Sequence, residues 1–278
     1  MPKSYYTIAG TNFLLNTPKQ EINSFFDYTL KEFIIDFEVS SYVIISVVES
    51  IKFLRLFTIY KEGEIAFNAG KSLKNLSYYA LTKALENVIA GHAINELEKK
   101  EMMAFHAGAV SKEDNGILML GESGYGKSTL TIELVANHNW LYLTDEVGLL
   151  DVHNIIHPFL KTISCKNKGI VKTSNDWITK QFEEYDYQVA VPRERYSPPV
   201  YLKAIIFVKY SPNSKLNITK IKKSDALQWL LKAQIGRAKY VATIEQMAEV
   251  VKKADAFLLH HNDCTKAAEL IDNLIGAS

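Results

Sequence analysis

Residues that can bind phosphate stand together in one short stretch of the chain. The segment Gly121-Glu-Ser-Gly-Tyr-Gly-Lys-Ser128 fits the pattern G-x-x-x-x-G-K-[ST]. Its glycines lack a Cβ, so the backbone can turn several N–H groups toward one anion. The lysine can reach the outer phosphates of a nucleotide, and the last hydroxyl can ligate Mg²⁺. The candidate nucleotide-binding residues are Gly121, Glu122, Ser123, Gly124, Tyr125, Gly126, Lys127, Ser128 and Thr129.

The elements around this segment are those that a phosphate-binding loop needs. The apolar run Ile117 to Leu120 predicts a strand before it, and Thr129 to Ala136 predicts a helix after it. The N-terminus of that helix adds unpaired backbone donors and the positive end of its dipole to the same anion site.

Two acidic residues, Asp145 and Glu146, follow the next predicted strand, Trp140 to Leu143. A strand–helix–strand unit with a right-handed crossover places both strands parallel in one sheet, and ligands bind beyond their carboxyl ends. We therefore expect both carboxylates near Lys127 and Ser128. Asp145 is the candidate acceptor of a hydroxyl proton, and Ser128, Glu146 and Asp145 are the candidate Mg²⁺ ligands.

One histidine is predicted at the mouth of the loop. Two apolar runs surround an Asn-Gly turn at residues 115 and 116, which predicts an antiparallel hairpin. If Val110 lies opposite Ile117, His106 falls opposite Gly121. His106 is therefore a further candidate catalytic residue, although a histidine in a strand is more often a packed one.

Two arginines, Arg193 and Arg195, precede the strong predicted strand Val200 to Tyr210. In an extended segment their side chains point the same way. Two guanidinium groups so placed could hold a transferred phosphoryl group or an acidic substrate. They could equally be solvated loop arginines, and both interpretations stay open.

Composition excludes several other classes of protein. The formal net charge of +1 gives no field that favours nucleic acid or a membrane surface, and no apolar run approaches the length of a spanning helix. The start of the chain lacks the pattern of a signal peptide, and its two cysteines form no disulfide framework. We expect a cytoplasmic protein.

The remaining elements divide the chain into two predicted domains, 1–100 and 101–278. The first is rich in β-branched and aromatic residues, which predicts short strands, including one at 33–39, and ends in an amphipathic helix over about 72–101. The second ends in helices at 224–234, 243–254 and 264–275 and a strand at 256–260. Residues 170–190 predict a loop or an edge strand. His260 and His261 are predicted to lie in a surface turn. No metal site is assigned to His153 and His157.

Taken together, the motifs resemble those of the HPr kinase/phosphorylase family, and more closely its shorter serine-kinase relatives. The resemblance rests on His106-Ala-Gly-Ala-Val110, the phosphate-loop segment and Leu143-Thr-Asp-Glu146. It implies an α/β fold with a P-loop core, a mixed sheet flanked by helices and a smaller β-rich N-terminal lobe. It also implies that Lys127 and Ser128 hold phosphate and Mg²⁺, that Asp145 is the base, and that a homo-oligomer can form. The chain departs from the family in having Glu146 where a second aspartate is usual.

The functional hypothesis is a Mg²⁺-dependent kinase that uses ATP or GTP. Its acceptor would be a serine or threonine hydroxyl of a peptide or small protein. Two alternatives stay open, namely a kinase of a free small molecule and a nucleotide-binding switch or scaffold with little turnover.

Overall fold

The computed structural model describes residues 3–8, 11–16, 43–48, 57–61, 64–68, 86–87, 90–91, 94, 101–159, 161–166, 177–182, 187–192, 195–236 and 241–276. By its internal contacts the chain divides into two compact units, Met1–Glu96 and Leu97–Ser278. In the described part of the chain, no helix is both long and apolar enough to cross a bilayer.

The N-terminal unit contains a five-stranded sheet with the order β1-β2-β3-β5-β4. Its strands are β1 (Lys3–Ile8), β2 (Thr11–Asn16), β3 (Val43–Val48), β4 (Phe57–Lys61) and β5 (Glu64–Asn68). The β-branched and aromatic residues of this region predicted such strands. The strand predicted at 33–39 lies outside the described residues, as does most of the helix predicted over 72–101. The described residues of that helix, at 86–87, 90–91 and 94, are helical.

The C-terminal unit is a mixed α/β structure with helices on a mixed sheet, as the sequence predicted. Its helices are α1 (Lys127–Asn137), α2 (Lys223–Ala233), α3 (Val241–Lys253) and α4 (Cys264–Ile275). Its strands are β6 (Met103–Phe105), β7 (Ala107–Lys112), β8 (Asn115–Leu120), β9 (Leu141–Thr144), β10 (Gly148–Leu150), β11 (Ile155–His157), β12 (Ile163–Lys166), β13 (Trp177–Phe182), β14 (Tyr187–Pro192), β15 (Val200–Tyr210), β16 (Asn217–Lys220), β17 (Gln234–Ile235) and β18 (Asp255–His261).

The central sheet has the order β17-β6-β10-β11-β15-β8-β7-β9, with β18 paired to β15 and β16 paired to β18. Strand β15 is parallel to both β8 and β18, whereas β7 is antiparallel to both β8 and β9. Strands β8 and β9 are therefore parallel to each other, with β7 between them. This arrangement brings the carboxyl ends of β8, β9, β15 and β18 to one edge of the sheet, where ligands bind in such folds.

Helices cover both faces of this sheet. Because side chains alternate along a strand, neighbouring residues of β8 pack on opposite faces. Met119 lies in the buried cluster that includes Leu130 of α1 and Ile271 of α4. Leu118 lies in the cluster that includes Leu230 of α2 and Met247 of α3. Helices α1 and α4 thus occupy one face, and α2 and α3 the other.

The described residues of the segment predicted as a loop or an edge strand at 170–190 form β13, an edge strand, and the first part of β14, the central strand of a small three-stranded sheet. Strand β14 pairs with both β12 and β13 in antiparallel register. Trp177 and Ala190 from this sheet are buried against the cluster under α1. Because this packing joins residues that are far apart in the chain, local polarity did not reveal it.

One carboxylate, that of Asp272 on α4, ties the helix to the hairpin and to the start of β9. The indole N–H of Trp140 and the ammonium of Lys112 both donate to its Oδ1 at 2.7 Å. Trp140 is fully buried, so its N–H depends on this acceptor in the folded chain.

We expect Asp272→Ala to lower the free energy of unfolding by about 2 kcal/mol, because a buried donor then lacks a partner. Asp272→Asn keeps an acceptor oxygen for the indole and should lose less than half as much. Urea unfolding followed by fluorescence measures both values. Equal losses for the two variants would show that the indole bond does not carry the effect.

Candidate phosphate-binding site

The loop between β8 and α1 has the backbone geometry that its glycines predict. Gly124 has a φ of 86° and Gly126 a φ of 90°, in the left-handed region that L side chains rarely adopt. Gly126 is the N-cap of α1, and its carbonyl accepts the first helical bond from the Leu130 N–H at 2.9 Å. The helix therefore begins at Lys127 with its unpaired N–H groups at the end of the loop, as an anion site requires.

The start of the loop is fixed by close contact with the end of β15. A Cβ on Gly121 would lie 2.6 Å from the carbonyl oxygen of Val208, so no larger residue fits without moving the backbone. Glu122, Ser123 and Gly124 at the tip of the loop are exposed, whereas Tyr125 is half-buried. The loop thus bends around a point above the β8 and β15 ends.

Lys127 lies inside this bend. Its side chain is buried, and its ammonium donates to the carbonyls of Gly121 at 2.7 Å and Glu122 at 3.1 Å. Burial lowers the pKa of this ammonium, while the carboxylates of Asp145 and Glu146 act in the opposite direction. A phosphate oxygen in the bend would replace one or both carbonyls as the partner of Lys127.

Ser128 and Asp145 meet as the motif order predicts. The Ser128 hydroxyl donates to Oδ2 of Asp145 at 2.9 Å, and only 1% of Asp145 is exposed. Ser128 is in the first turn of α1, and Asp145 directly follows β9. This contact joins the phosphate loop to the neighbouring strand end.

Gly108 on β7, which the sequence analysis did not single out, makes room for this contact. A Cβ there would lie 2.6 Å from Oγ1 of Thr131 and 3.5 Å from Oδ1 of Asp145. Because β7 lies between β8 and β9, any side chain at this position would press on α1 and on the carboxylate. A glycine inside an otherwise apolar strand was the available signal.

His106 lies where the hairpin register placed it. Val110 pairs with Ile117 and Ala107 with Leu120, so His106 follows opposite Gly121. It stands in a bend between β6 and β7 rather than within one strand. Burial lowers the pKa of His106, and the nearby Lys127 ammonium lowers it further. The Glu146 carboxylate and a hydrogen bond to the Glu146 backbone act in the opposite direction. The imidazole is therefore neutral at neutral pH.

Glu146 pairs with a lysine that the sequence analysis did not name. Its carboxylate accepts from the Lys161 ammonium at 2.5 Å, and its backbone takes a positive φ of 69°. Lys161 is only 6% exposed, so this cation is a buried component of the site that the sequence analysis missed. Its position in a loop before β12 gave no pattern that would have linked it to Glu146. The role of Glu146 as a metal ligand stays a prediction.

Arg195 lies away from the phosphate loop, which corrects its predicted role. Its guanidinium donates to the backbone carbonyl of Val135 at 2.7 Å and to Oδ1 of Asn139 at 3.4 Å. Val135 is about 12 Å along the helix axis from Lys127, at 1.5 Å per residue. Arg195 therefore satisfies carbonyls at the C-terminal end of α1, where a cation is favoured. Arg193 lies outside the described residues.

His261 is not in a surface turn, which corrects a second prediction. It ends β18, is 1% exposed and lies under the phosphate loop, with its Nε2 3.4 Å from the carbonyl oxygen of Tyr125. A Cβ on Gly126 would lie 3.2 Å from this ring, so a larger residue at position 126 would press on the imidazole. The available signal was the alternation of a strand, since His261 is two residues after the buried Leu259.

The oxygens of Ser128 and Asp145 fit a magnesium ion. An octahedral Mg²⁺ with ligands at about 2.1 Å has neighbouring ligand oxygens about 3.0 Å apart, and the two oxygens here are 2.9 Å apart. Among the described residues, no three His, Cys, Asp or Glu side chains form a metal cluster.

We expect protonation of His261 to destabilise the fold in mild acid. Burial lowers the pKa of His261 in the folded chain, against its bonds to the Tyr125 and Asp263 carbonyls. The unfolded chain then binds the proton first, so stability falls as the pH drops below the ordinary histidine pKa of 6.5. Thermal melts between about pH 7.5 and pH 5.5 should show a smaller decrease for His261→Gln than for the unchanged chain. His260→Gln, one position away on the same strand, should leave the decrease unchanged, and an equal effect of both variants would contradict the account.

Comparison with known proteins finds matches among solved structures alone. The chain matches no family model and no curated protein. Among solved structures it is similar to the Hpr(Ser) kinase/phosphatase from Coxiella burnetii, with 12% sequence identity and a TM-score of 0.30. That match covers 62% of this chain and 92% of the other. The similarity is a distant one of structure.

Proposed function

We propose that this protein is a Mg²⁺-dependent phosphotransferase that moves a phosphoryl group from ATP or GTP to the serine or threonine hydroxyl of a peptide or small protein. The observation that carries the proposal is the 2.9 Å contact between Ser128, at the start of α1, and Asp145, after β9. It brings a phosphate loop, a metal-binding hydroxyl and a buried carboxylate to one point. These are the parts that phosphoryl transfer requires.

The phosphate loop would hold the donor. Left-handed backbone at Gly124 and Gly126 turns N–H groups into the bend, and the α1 N-terminus adds its dipole. Lys127 would leave the carbonyls of Gly121 and Glu122 and bind the outer phosphates. Since the ammonium is already buried, it would act on the developing charge in a site of low dielectric, where such contacts are strongest.

Ser128 and Asp145 would hold the magnesium ion, directly or through water. A bound Mg²⁺ neutralises the charge of the bridging phosphate oxygens. Asp145 also stays the predicted acceptor of the hydroxyl proton, because it is the buried carboxylate nearest to the loop hydroxyl. Its burial between β7 and α1 fixes its position before any substrate binds.

His106 and the Glu146–Lys161 pair would shape the acceptor side of the site. The lowered pKa of His106 keeps its ring neutral, so it can accept or donate a hydrogen bond without repelling Lys127. Lys161 neutralises Glu146 at 2.5 Å, so only Asp145 stands as a buried carboxylate next to the metal position.

We expect Asp145→Asn to lower the rate of phosphoryl transfer at least about 100-fold, a loss of about 3 kcal/mol in transition-state stabilisation. Asp151→Asn, which changes a carboxylate bonded to His157 at a distance from the loop, is the matched control and should retain the rate. The assay follows ATP and GTP consumption with and without a mixture of serine- and threonine-containing peptides, and mass spectrometry identifies the product.

The outcomes separate the candidate functions. Peptide-dependent consumption that Asp145→Asn abolishes supports the proposal. Near-normal transfer by Asp145→Asn, with nucleotide binding intact, contradicts the assigned role. Tight nucleotide binding without consumption under any of these conditions would contradict a peptide acceptor and leave a small-molecule kinase and a switch or scaffold as the candidates.

A further inference from the structure

A cavity of about 440 Å³ adjoins the phosphate loop on the face of the sheet that α2 and α3 cover. We call it the side cavity. Its loop wall consists of Gly121, Glu122 and Tyr125, and His106 forms the wall shared with the candidate catalytic groups. Its volume lies within the range of about 300–1,000 Å³ that small-molecule sites occupy.

The floor and far wall of the side cavity are apolar and rigid. Phe207 of β15 and Trp229 of α2 meet edge to face, with ring centroids 4.9 Å apart and an interplanar angle of 74°. Leu120, at the end of β8, and Leu258, in the middle of β18, complete this surface. Such a surface favours a flat or branched apolar group of about the size of a phenyl ring.

The rim of the side cavity carries an excess of positive charge. Lys209 and Lys232 both line it, and Glu122 is the only acidic residue among the described lining residues. A hydrogen bond between Glu122 and Tyr125 raises the pKa of the Tyr125 phenol, so this carboxylate already has a partner within the loop. The rim therefore complements an acidic group on whatever the apolar floor holds.

We propose that the side cavity binds a compact amphipathic acid, consisting of an apolar group of phenyl size next to a carboxylate. The assignment of this group to the phosphoryl acceptor rests on the proposed function. In that assignment the apolar group of the acceptor binds in the cavity, and the acceptor hydroxyl extends past His106 toward the candidate catalytic groups. The binding itself depends only on the cavity.

The charge of the rim distinguishes this occupant from the base of the nucleotide donor. A purine is apolar on its faces but uncharged, so two lysines at the rim give it no advantage. The charge of the rim therefore favours the acceptor over the base.

Tryptophan fluorescence reports binding directly. Of the three tryptophans in the chain, Trp140 and Trp177 are buried, whereas Trp229 is partly exposed and lines the cavity. The probes are N-acetyl-phenylalanine, its uncharged amide, N-acetyl-glycine and adenosine, each titrated without nucleotide or metal. The acid should quench the Trp229 signal in a saturable way, and more strongly than the other three.

Variants test which residues cause the preference. The double variant Lys209→Gln/Lys232→Gln should raise the dissociation constant for the acid about three- to tenfold and leave that for the amide unchanged. Lys203→Gln, which changes an exposed lysine of β15 outside the cavity, is the matched control. Trp229→Phe should remove the signal, and Ala233→Phe should block binding by filling the space.

Equal affinity for the acid and the amide, or no effect of the double lysine variant, would overturn the proposal. Tighter binding of adenosine than of the acid would overturn it in favour of the nucleotide base. Because these titrations contain no phosphoryl donor, they are independent of turnover. A chain that binds the acid but transfers no phosphate retains the cavity assignment and contradicts the kinase function alone.

Discussion

The structure depends on one short contact, the hydrogen bond from the Ser128 hydroxyl to the Asp145 carboxylate. It joins the first turn of α1, which follows β8, to the residue after β9, and β8 and β9 are not neighbours in the sheet. Three features must be present for it to form. The loop must turn at Gly124 and Gly126, β7 must run between β8 and β9, and Gly108 must leave space beneath the carboxylate. A change in any of these would separate the hydroxyl from the acid.

The charges around this contact are balanced over a small volume. Lys127 lies inside the loop, Lys161 is paired with Glu146, and His106 stands between these groups as a neutral ring. Buried charges are costly unless they are paired and hydrogen-bonded, and each of these lysines has oxygen partners within 3.1 Å. A triply or quadruply charged nucleotide with its metal ion would change these pairings. Under the proposed function, Lys127 would exchange its internal carbonyl partners for phosphate oxygens.

The sequence predicted those parts of the site that local pattern determines. The strand before Gly121, the helix after it and the hairpin register of His106 all follow from residues within about thirty positions of one another, and the structure has them as expected. The bounds of β15 and α4 also match, because each has strong apolar periodicity. Side-chain partners from distant parts of the chain could not be predicted from the sequence. Arg195 satisfies the end of α1, Lys161 neutralises Glu146 and His261 packs under the loop. Each of these contacts joins segments that only tertiary packing brings together.

The central claim is that Ser128 and Asp145 form the protein side of a magnesium site for a bound nucleotide. Isothermal titration of ATP with and without Mg²⁺ tests it most directly, using Ser128→Ala and, as a control, Ser224→Ala, which changes an exposed serine at the start of α2. We expect Mg²⁺ to strengthen ATP binding at least about tenfold, or 1.4 kcal/mol, in the unchanged chain and in Ser224→Ala, and to have little effect in Ser128→Ala. Binding of ATP that is independent of Mg²⁺, or an equal response of all three proteins to the metal, would contradict the account.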